Sequence, residues 1–128
     1  MTTIGMKLKS AGYSTVMAGK WDAGMATEDH TPRGRGYDSS LFYFHHANDY
    51  WTSIDGTVCN KTDIVDLFDT DQGANSLNNS WLCSQSNQAP GCRYEDEIFL
   101  ERVLASIEAH DPSQPFFLFW APHIVHGK

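Results

Sequence analysis

Two short segments hold the residues of this sequence that are best suited to binding an anion or moving a proton. The first is GKWDAG at positions 19–24, where Lys20 lies between two glycines. Small neighbours let an ammonium group and the backbone approach an anionic substrate closely, although Lys20 equally fits a surface lysine in a turn. The second is PHIVH at positions 122–126, where His126 could donate to an oxyanion or act as an acid or base. The alternative is that His126 is a capping or partly buried histidine.

Each segment follows a predicted strand, and each strand follows a predicted helix. Residues 4–11 carry apolar side chains at helical spacing, with Thr2 or Thr3 as the N-cap, and residues 13–18 are rich in β-prone side chains. Ligands of open α/β sheets bind beyond the carboxyl ends of parallel strands. Both segments are therefore expected at that edge of one sheet.

The second helix is predicted over residues 95–110 and the second strand over residues 116–121. The strand is entirely apolar, which predicts that it is fully buried. One face of the helix is expected to be buried, and its apolar side chains are Ile98, Phe99, Val103, Leu104 and Ile107.

The middle of the chain, residues 24–93, is polar and shows only short β-prone pieces near residues 50–54 and 64–68. Two buried strands cannot form an independent parallel sheet, so the chain is interpreted as a piece of a larger body. Residues 42–51, an aromatic and histidine-rich stretch, either rim a substrate pocket or form an ordinary strand and turn, and no catalytic role is assigned to them. If that stretch is extended, its adjacent histidines point to opposite sides. An acidic cluster of Asp66, Asp69 and Asp71 is expected to be a solvated loop, because its spacing is not that of a calcium loop.

Composition excludes some classes of function. The chain has 128 residues and a formal net charge of −7, which argues against binding to nucleic acid or to an anionic membrane surface. Its longest apolar run has six residues, too few to span a bilayer, and no secretory signal is recognised. The composition is that of a globular protein.

The cysteines and the N-glycosylation sequons indicate the cellular compartment in which the protein is found. Three cysteines leave one without a partner in the chain: Cys83 and Cys92 enclose a short polar segment and are the candidate disulfide, which leaves Cys59 free or paired outside the chain. None has a second ligand at zinc spacing, and no metal ligand is assigned. Asn60 and Asn78 begin two glycosylation sequons. Together these features favour a secreted, extracellular or lysosomal protein.

Three stretches of the sequence resemble the type I sulfatase family. Residues 3–21, which end in Gly-Lys-Trp, are similar to the segment that leads into the family's GKWHLG motif. Residues 31–38, TPRGRGYD, are similar to its R-G-F-D stretch, and residues 115–121 followed by His126 resemble the strand before a substrate-binding histidine. The order and spacing agree along the chain, strongly at both ends and weakly between residues 55 and 93.

The resemblance implies a fold and a reaction. The fold is α/β, part of a doubly wound, mostly parallel sheet with flanking helices of the alkaline-phosphatase superfamily, incomplete in this chain. The reaction is hydrolysis of a sulfate ester of a small molecule or glycan, in which a formylglycine made from a cysteine attacks sulfur and a calcium ion polarises the sulfate. By position, Lys20 corresponds to the lysine that contacts formylglycine and sulfate, and His126 to the histidine that donates to the sulfate.

Two departures from the family pattern matter. No cysteine here is followed by the C-x-P/A-S-R nucleophile motif, so the chain by itself is expected to bind no calcium and to have no sulfatase activity. Asp22 stands where the family has the histidine of GKWH. A carboxylate can accept a proton but repels a sulfate dianion at close range. We favour Asp22 as the base of a divergent enzyme over a weakened or inactive relative.

On this interpretation residues 1–128 are part of a sulfatase catalytic domain. Residues 1–24 form a helix, a strand and the GKW motif, residues 25–93 a loop-rich insertion, and residues 94–128 a helix, a strand and the histidine motif. Two alternatives remain: a phosphodiesterase or phosphonate hydrolase of the same superfamily, and a degenerate secreted relative that binds glycans without catalysis.

Overall fold

The computed structural model describes residues 1–55, 64–71 and 91–126 with their side chains and residues 75–76 as backbone. Helix α1 is Ile4–Ser10 and helix α2 is Glu95–Glu108, and single 3-10 turns cover Glu28–His30 and Arg33–Arg35. The strands are β1 (Ser14–Lys20), β2 (Ser39–Tyr43), β3 (Ile54–Asp55), β4 (Ile64–Val65), β5 (Phe68–Asp69), β6 (Asn75–Ser76) and β7 (Phe116–Ala121).

Five of these strands form one sheet in the order β6-β5-β2-β1-β7. The three longest strands are parallel, because β1 pairs in parallel with both β2 and β7. The short strands β5 and β6 add antiparallel pairs on one side, and β3 and β4 make a separate antiparallel pair. The fold is therefore a mixed α/β structure with a mostly parallel sheet, as predicted.

The elements predicted at both ends of the chain are confirmed. Thr3 caps α1, since its side chain accepts a hydrogen bond from the backbone N–H of Met6 at 3.3 Å. Strand β1 extends two residues beyond the predicted end, to Lys20. Helix α2 begins at the predicted residue and ends two residues early, and β7 has the predicted bounds.

Strand β2 is the element that the sequence did not reveal. It lies next to β1 in the sheet, with Ala18 opposite Leu41 and Lys20 opposite Tyr43. Its sequence, SSLFY, begins with two serines, and only 3-10 turns separate it from β1. A parallel connection without an α-helix lacks the helical periodicity that normally reveals a β-α-β unit, so the expectation of only two parallel strands is wrong.

The sheet has a core on each face because the side chains of β2 alternate. Leu41 and Tyr43 pack with Leu67 and Phe99 on the α2 side. Phe42 packs on the other face with Met17 and Tyr37. The first half of the aromatic stretch, residues 42–44, is thus a strand and its continuation, and Phe42 and Phe44 also line a cavity described below.

Burial at the other edge of the sheet differs from expectation. Strand β7 is not fully buried as its sequence predicts, since Phe119 and Trp120 are 41% and 43% exposed. On α2, Phe99 and Val103 are buried, whereas Leu104 and Ile107 are about half exposed. Strand β7 is the last strand of the sheet among the described residues, and an apolar run alone does not distinguish an edge strand from a central one.

The acidic cluster is not a solvated loop. Asp66 and Asp69 are each only 1% exposed. Asp69 pairs with Arg102 of α2, and the same guanidinium donates to Asp71 at 2.9 Å. These carboxylates tie the helix to the sheet, which their spacing in sequence could not show.

Candidate functional site

The carboxyl ends of the parallel strands β1 and β2 stay paired after the strands end. The backbone N–H of Trp21 donates to the Tyr43 carbonyl at 2.9 Å, and that of Asp22 donates to the Phe44 carbonyl at 3.2 Å. This continued pairing brings the residues after β1 alongside those after β2.

Four polar side chains meet at this edge: Lys20, Asp22, His46 and His126, here called the edge cluster. Lys20 Nζ lies 3.2 Å from His46 Nδ1 and 3.4 Å from Asp22 Oδ2. His46 Nδ1 is 3.6 Å from the same Asp22 oxygen. The rings of His46 and His126 are nearly perpendicular, with centroids 5.2 Å apart. The cluster therefore joins an ammonium, a carboxylate and two imidazoles.

The edge cluster is open to solvent. The side chain of Lys20 is 23% exposed, that of Asp22 51% and that of His46 73%. An anion can therefore reach all three groups. Asp22 adopts a φ of 46°, a left-handed conformation that aspartate tolerates better than most residues.

Sequence reasoning singles out Lys20, Asp22 and His126 but misses His46, the residue that contacts all three. The available signal is the adjacent pair His45 and His46 after an aromatic run, and the two side chains do point to different neighbours, although they lie in a turn and not in extended backbone. Without β2 in the sheet, nothing in the sequence places this pair beside Lys20.

His45 points away from the edge cluster toward two buried carboxylates. Its Nδ1 lies 3.0 Å from Asp66 Oδ2 and 3.5 Å from Asp55 Oδ2. These ligand types could suit a divalent cation. However, the Asp66 oxygens accept the backbone N–H groups of Phe44 and His45, each at 2.8 Å. Asp66 therefore clamps the turn that carries His46.

The first turn of α2 holds the segment that carries His126. The Asp96 carboxylate accepts the backbone N–H groups of His123, at 2.8 Å, and Ile124, at 3.1 Å. His126 N–H then donates to the His123 carbonyl at 3.2 Å, and the Tyr50 hydroxyl donates to the His126 carbonyl. Backbone contacts thus fix His126 and leave its ring free to face His46.

A buried pair lies beneath this segment. Glu95 Oε2 is 3.0 Å from His123 Nδ1, and Glu95 Oε1 accepts a hydrogen bond from Asn48 at 2.9 Å. Burial raises the pKa of Glu95, and the contacts with His123 and Asn48 only partly oppose that effect. The His123 ring packs 4.0 Å from the Tyr50 ring. The pair supports the His126 segment from below and is not part of the open edge cluster.

The glycines around Lys20 have different roles from the one expected. Gly19 has a φ of 100°, and a Cβ at this position would lie 1.9 Å from the Ala121 carbonyl oxygen. Gly19 therefore permits close contact between β1 and β7 rather than close approach of a substrate. The Gly24 carbonyl accepts the Trp21 indole N–H at 2.9 Å, which fixes the loop after β1.

A cavity of about 620 Å³ lies elsewhere on the molecule. Arg33, Phe42, Phe44, Phe68 and neighbouring residues line it, whereas no member of the edge cluster does. The edge cluster, where several polar groups converge, is the better functional candidate.

Three of the predicted modification positions, Asn60, Asn78 and Cys83, lie outside the described residues, and so does Cys59, which was expected to be free or paired outside the chain. Cys92 is disulfide-bonded. Its pairing with Cys83 stays a prediction. No helix among the described residues is long and apolar enough to cross a membrane.

Comparison with known proteins gives a consistent result. A family model described as Sulfatase matches residues 1–128. Arylsulfatase J of Mus musculus is 31% identical over 127 residues, which covers 98% of this chain and 19% of the relative. An arylsulfatase of Klebsiella aerogenes is 28% identical over 126 residues, 96% of this chain and 24% of the relative. The chain thus spans about a fifth to a quarter of the length of these relatives.

Solved structures show the same fold. The crystal structure of Ps i-CgsB superimposes with a TM-score of 0.59 at 21% identity, covering 97% of this chain and 27% of that one. Its structure in complex with k-i-k-neocarrahexaose gives a TM-score of 0.56 at 23% identity, covering 98% of this chain and 28% of that one. Both similarities concern the fold alone.

Proposed function

This chain belongs to the sulfatase family, and from that premise we propose that its edge cluster forms the anion-binding side of a sulfuric ester hydrolase site in a longer protein. The observation that carries the proposal is the convergence of Lys20, Asp22, His46 and His126 at the carboxyl ends of parallel strands. This edge is where α/β sheets bind their ligands. The substrate is a sulfate ester of a small molecule or a glycan.

The charges of the cluster suit this substrate. A chain with a net charge of −7 repels anions at long range, so local cations must hold the sulfate. Lys20 supplies a fixed positive charge, and His126 can donate a hydrogen bond to a sulfate oxygen or to the bridging oxygen. Donors held in place before the reaction stabilise the charge that develops as the S–O bond breaks.

By position in the motif, Asp22 takes the place of the family's proton-accepting histidine. Its carboxylate lies 3.4 Å from Lys20 Nζ, and this ammonium offsets part of its repulsion of sulfate. A carboxylate in that place can accept a proton or orient a neighbour.

We propose that the nucleophile and the calcium ion of the reaction come from other parts of the longer protein. None of the three cysteines is followed by C-x-P/A-S-R. Calcium takes six to eight oxygen ligands, whereas the edge cluster offers one carboxylate, already paired with Lys20. The cluster therefore does not fit calcium, and the chain by itself is expected to be inactive.

The test is a substrate panel for the complete protein that contains this chain. Wild type and Lys20→Met are compared on p-nitrophenyl sulfate, p-nitrophenyl phosphate and bis(p-nitrophenyl) phosphate, with Lys7→Met, an exposed lysine of α1, as the control. We expect wild type and Lys7→Met to hydrolyse the sulfate ester and Lys20→Met to lose about 10²–10³-fold in kcat. Turnover of the phosphodiester alone would favour the phosphodiesterase alternative, and binding without any turnover would favour the degenerate relative.

We also propose a secreted, extracellular or lysosomal location. The disulfide at Cys92 supports it, because disulfides persist mainly in oxidising compartments. The test is the electrophoretic mobility of the protein from secretory cells after removal of N-glycans. Removal of N-glycans should increase the mobility of the wild-type protein, and Asn60→Gln and Asn78→Gln should each reduce this change. A wild-type protein whose mobility does not change would contradict the proposal.

A further inference from the structure

We propose that His46 is a catalytic residue of the edge cluster, whose imidazole takes up and returns the proton during ester hydrolysis, and that Asp22 orients this imidazole instead of acting on the substrate. The inference rests on the proposed function and assigns the proton-carrying group of the same site. It changes the role given to Asp22 and adds a residue that motif position did not indicate.

The geometry of the edge cluster favours His46 as the proton carrier. His46 Nδ1 faces Lys20 Nζ at 3.2 Å and Asp22 Oδ2 at 3.6 Å, so one ring nitrogen is held by the cluster. The other nitrogen, Nε2, is left to meet a ligand, and the side chain is 73% exposed. In the structure the Lys20 ammonium donates to Nδ1, with the Asp22 carboxylate beside it. If Lys20 turns to the sulfate, Asp22 can hold Nδ1 while Nε2 handles the proton, which is the arrangement of hydrolytic triads.

The charge of the substrate also favours an imidazole over a carboxylate. A carboxylate brought against a sulfate ester repels it, whereas a neutral imidazole does not. Histidine is the side chain that most often serves as a general acid or base in enzymes. Asp22 is moreover already engaged with Lys20.

The ring of His46 faces the ring of His126. The two centroids are 5.2 Å apart, the residues follow different strands of the sheet, and each segment is held by its own carboxylate. Asp66 holds the backbone of the turn before His46, and Asp96 holds that of the segment before His126. One imidazole can thus donate to the sulfate while the other carries the proton.

The proton balance is simple. In the net reaction a water oxygen bonds to sulfur, and the ester S–O bond breaks with its electron pair left on the alcohol oxygen. One proton lost by the attacking oxygen must reach that alcohol oxygen, which gives the alcohol and hydrogen sulfate. His46 Nε2 takes this proton and returns it. While Lys20 donates to Nδ1, the neutral ring carries its proton on Nε2. When Lys20 turns to the sulfate, the ring can carry that proton on Nδ1 and donate it to Asp22, which leaves Nε2 as the acceptor for the proton of the attacking oxygen.

The experiment measures the complete protein with His46→Gln, His46→Ala and Asp22→Asn, and with His110→Gln, a histidine at the end of α2, as the matched control. The substrates are phenyl sulfate and p-nitrophenyl sulfate. We expect His46→Gln to lower kcat by about 10²–10⁴-fold with little change in KM. The loss should be larger for phenyl sulfate, because p-nitrophenolate leaves without needing a proton. Added imidazole should restore part of the activity of His46→Ala.

A second measurement does not depend on turnover. The imidazole ¹⁵N shifts of His46 should change in Lys20→Met and in Asp22→Asn, while those of His110 stay fixed. Unchanged shifts would overturn the pairing on which the inference rests.

The outcomes separate this inference from the proposed function. If wild type hydrolyses the sulfate esters and His46→Gln does so equally well, the role of His46 is wrong and the proposed function stands. An equal loss on both substrates without rescue by imidazole would make His46 structural, which also overturns the inference. If wild type hydrolyses neither sulfate ester, the proposed function is wrong and the role of His46 falls with it.

Discussion

Lys20 Nζ lies 3.2 Å from His46 Nδ1, although 26 residues separate them in sequence. The contact depends on the register of two parallel strands, in which Lys20 is paired with Tyr43 three residues before His46. Strand β1 is also paired with β7, where Gly19 lies opposite Ala121. The edge cluster is thus a product of strand register, and changes that move β1 should disperse it.

Gly19→Ala is expected to destabilise this edge. A Cβ at position 19 would lie 1.9 Å from the Ala121 carbonyl oxygen, and the backbone φ of 100° is also unfavourable for alanine. Gly12→Ala is a matched control, because Gly12 has a φ of 87° but a Cβ there would meet no atom within 4 Å. We expect the control to cost about 1 kcal/mol and Gly19→Ala to cost distinctly more, measured by thermal unfolding of the complete protein. Equal losses of stability in the two variants would show that the unfavourable φ, and not the contact with Ala121, causes the destabilisation.

Asp96→Ala should loosen the segment that carries His126. The substitution leaves the backbone N–H groups of His123 and Ile124 without their acceptor, which costs about 1–3 kcal/mol for the buried N–H of His123. Hydrogen exchange at these two amides should accelerate, and kcat on aryl sulfate should fall. Glu97→Ala changes an exposed acid in the same helical turn and serves as the control. Unchanged exchange rates at both amides would show that Asp96 does not hold this segment in place.

Asp38→Asn should weaken the start of β1 in a pH-dependent way. Burial alone raises the pKa of Asp38, but hydrogen bonds with Lys9 and Thr15 outweigh it and set the pKa below its usual value of 3.8. A carboxyl with a lowered folded pKa stabilises the fold above its unfolded pKa, and this contribution is lost as the pH falls through the folded value. The variant should therefore speed exchange of the Thr15 amide, which donates to Asp38 at 3.0 Å, near pH 7. The difference from wild type should shrink toward pH 3, and a constant difference would contradict the assignment.

Local patterns are enough to predict the ends of the chain. Apolar periodicity, the Thr3 cap and the apolar run of β7 lie within short windows. The rule that ligands meet the carboxyl ends of parallel strands then directs attention to Lys20 and His126. Both residues do lie at that edge, each in contact with His46.

The parts that sequence reasoning misses depend on long-range contacts. Strand β2 has no flanking helix, and the buried Asp69 is paired with Arg102, which lies 33 residues away. A role for His46 follows only from its contacts with Lys20 and Asp22, and these contacts depend on the position of β2 beside β1. The partners in these contacts lie too far apart in sequence for a local pattern to reveal them, so their roles become clear only from the three-dimensional structure.

The isolated chain should unfold without a sharp transition. Phe119 and Trp120 of β7 are more than 40% exposed, and Leu104 and Ile107 of α2 are about half exposed. Exposed apolar groups at an edge strand favour association and weaken cooperativity. We expect calorimetry of residues 1–128 to give a broad transition, and a dye that binds apolar surface to fluoresce before heating. The double variant Phe119→Thr and Trp120→Thr should lower the dye signal. A single sharp transition, with equal calorimetric and van't Hoff enthalpies, would show instead that the chain folds as an independent unit.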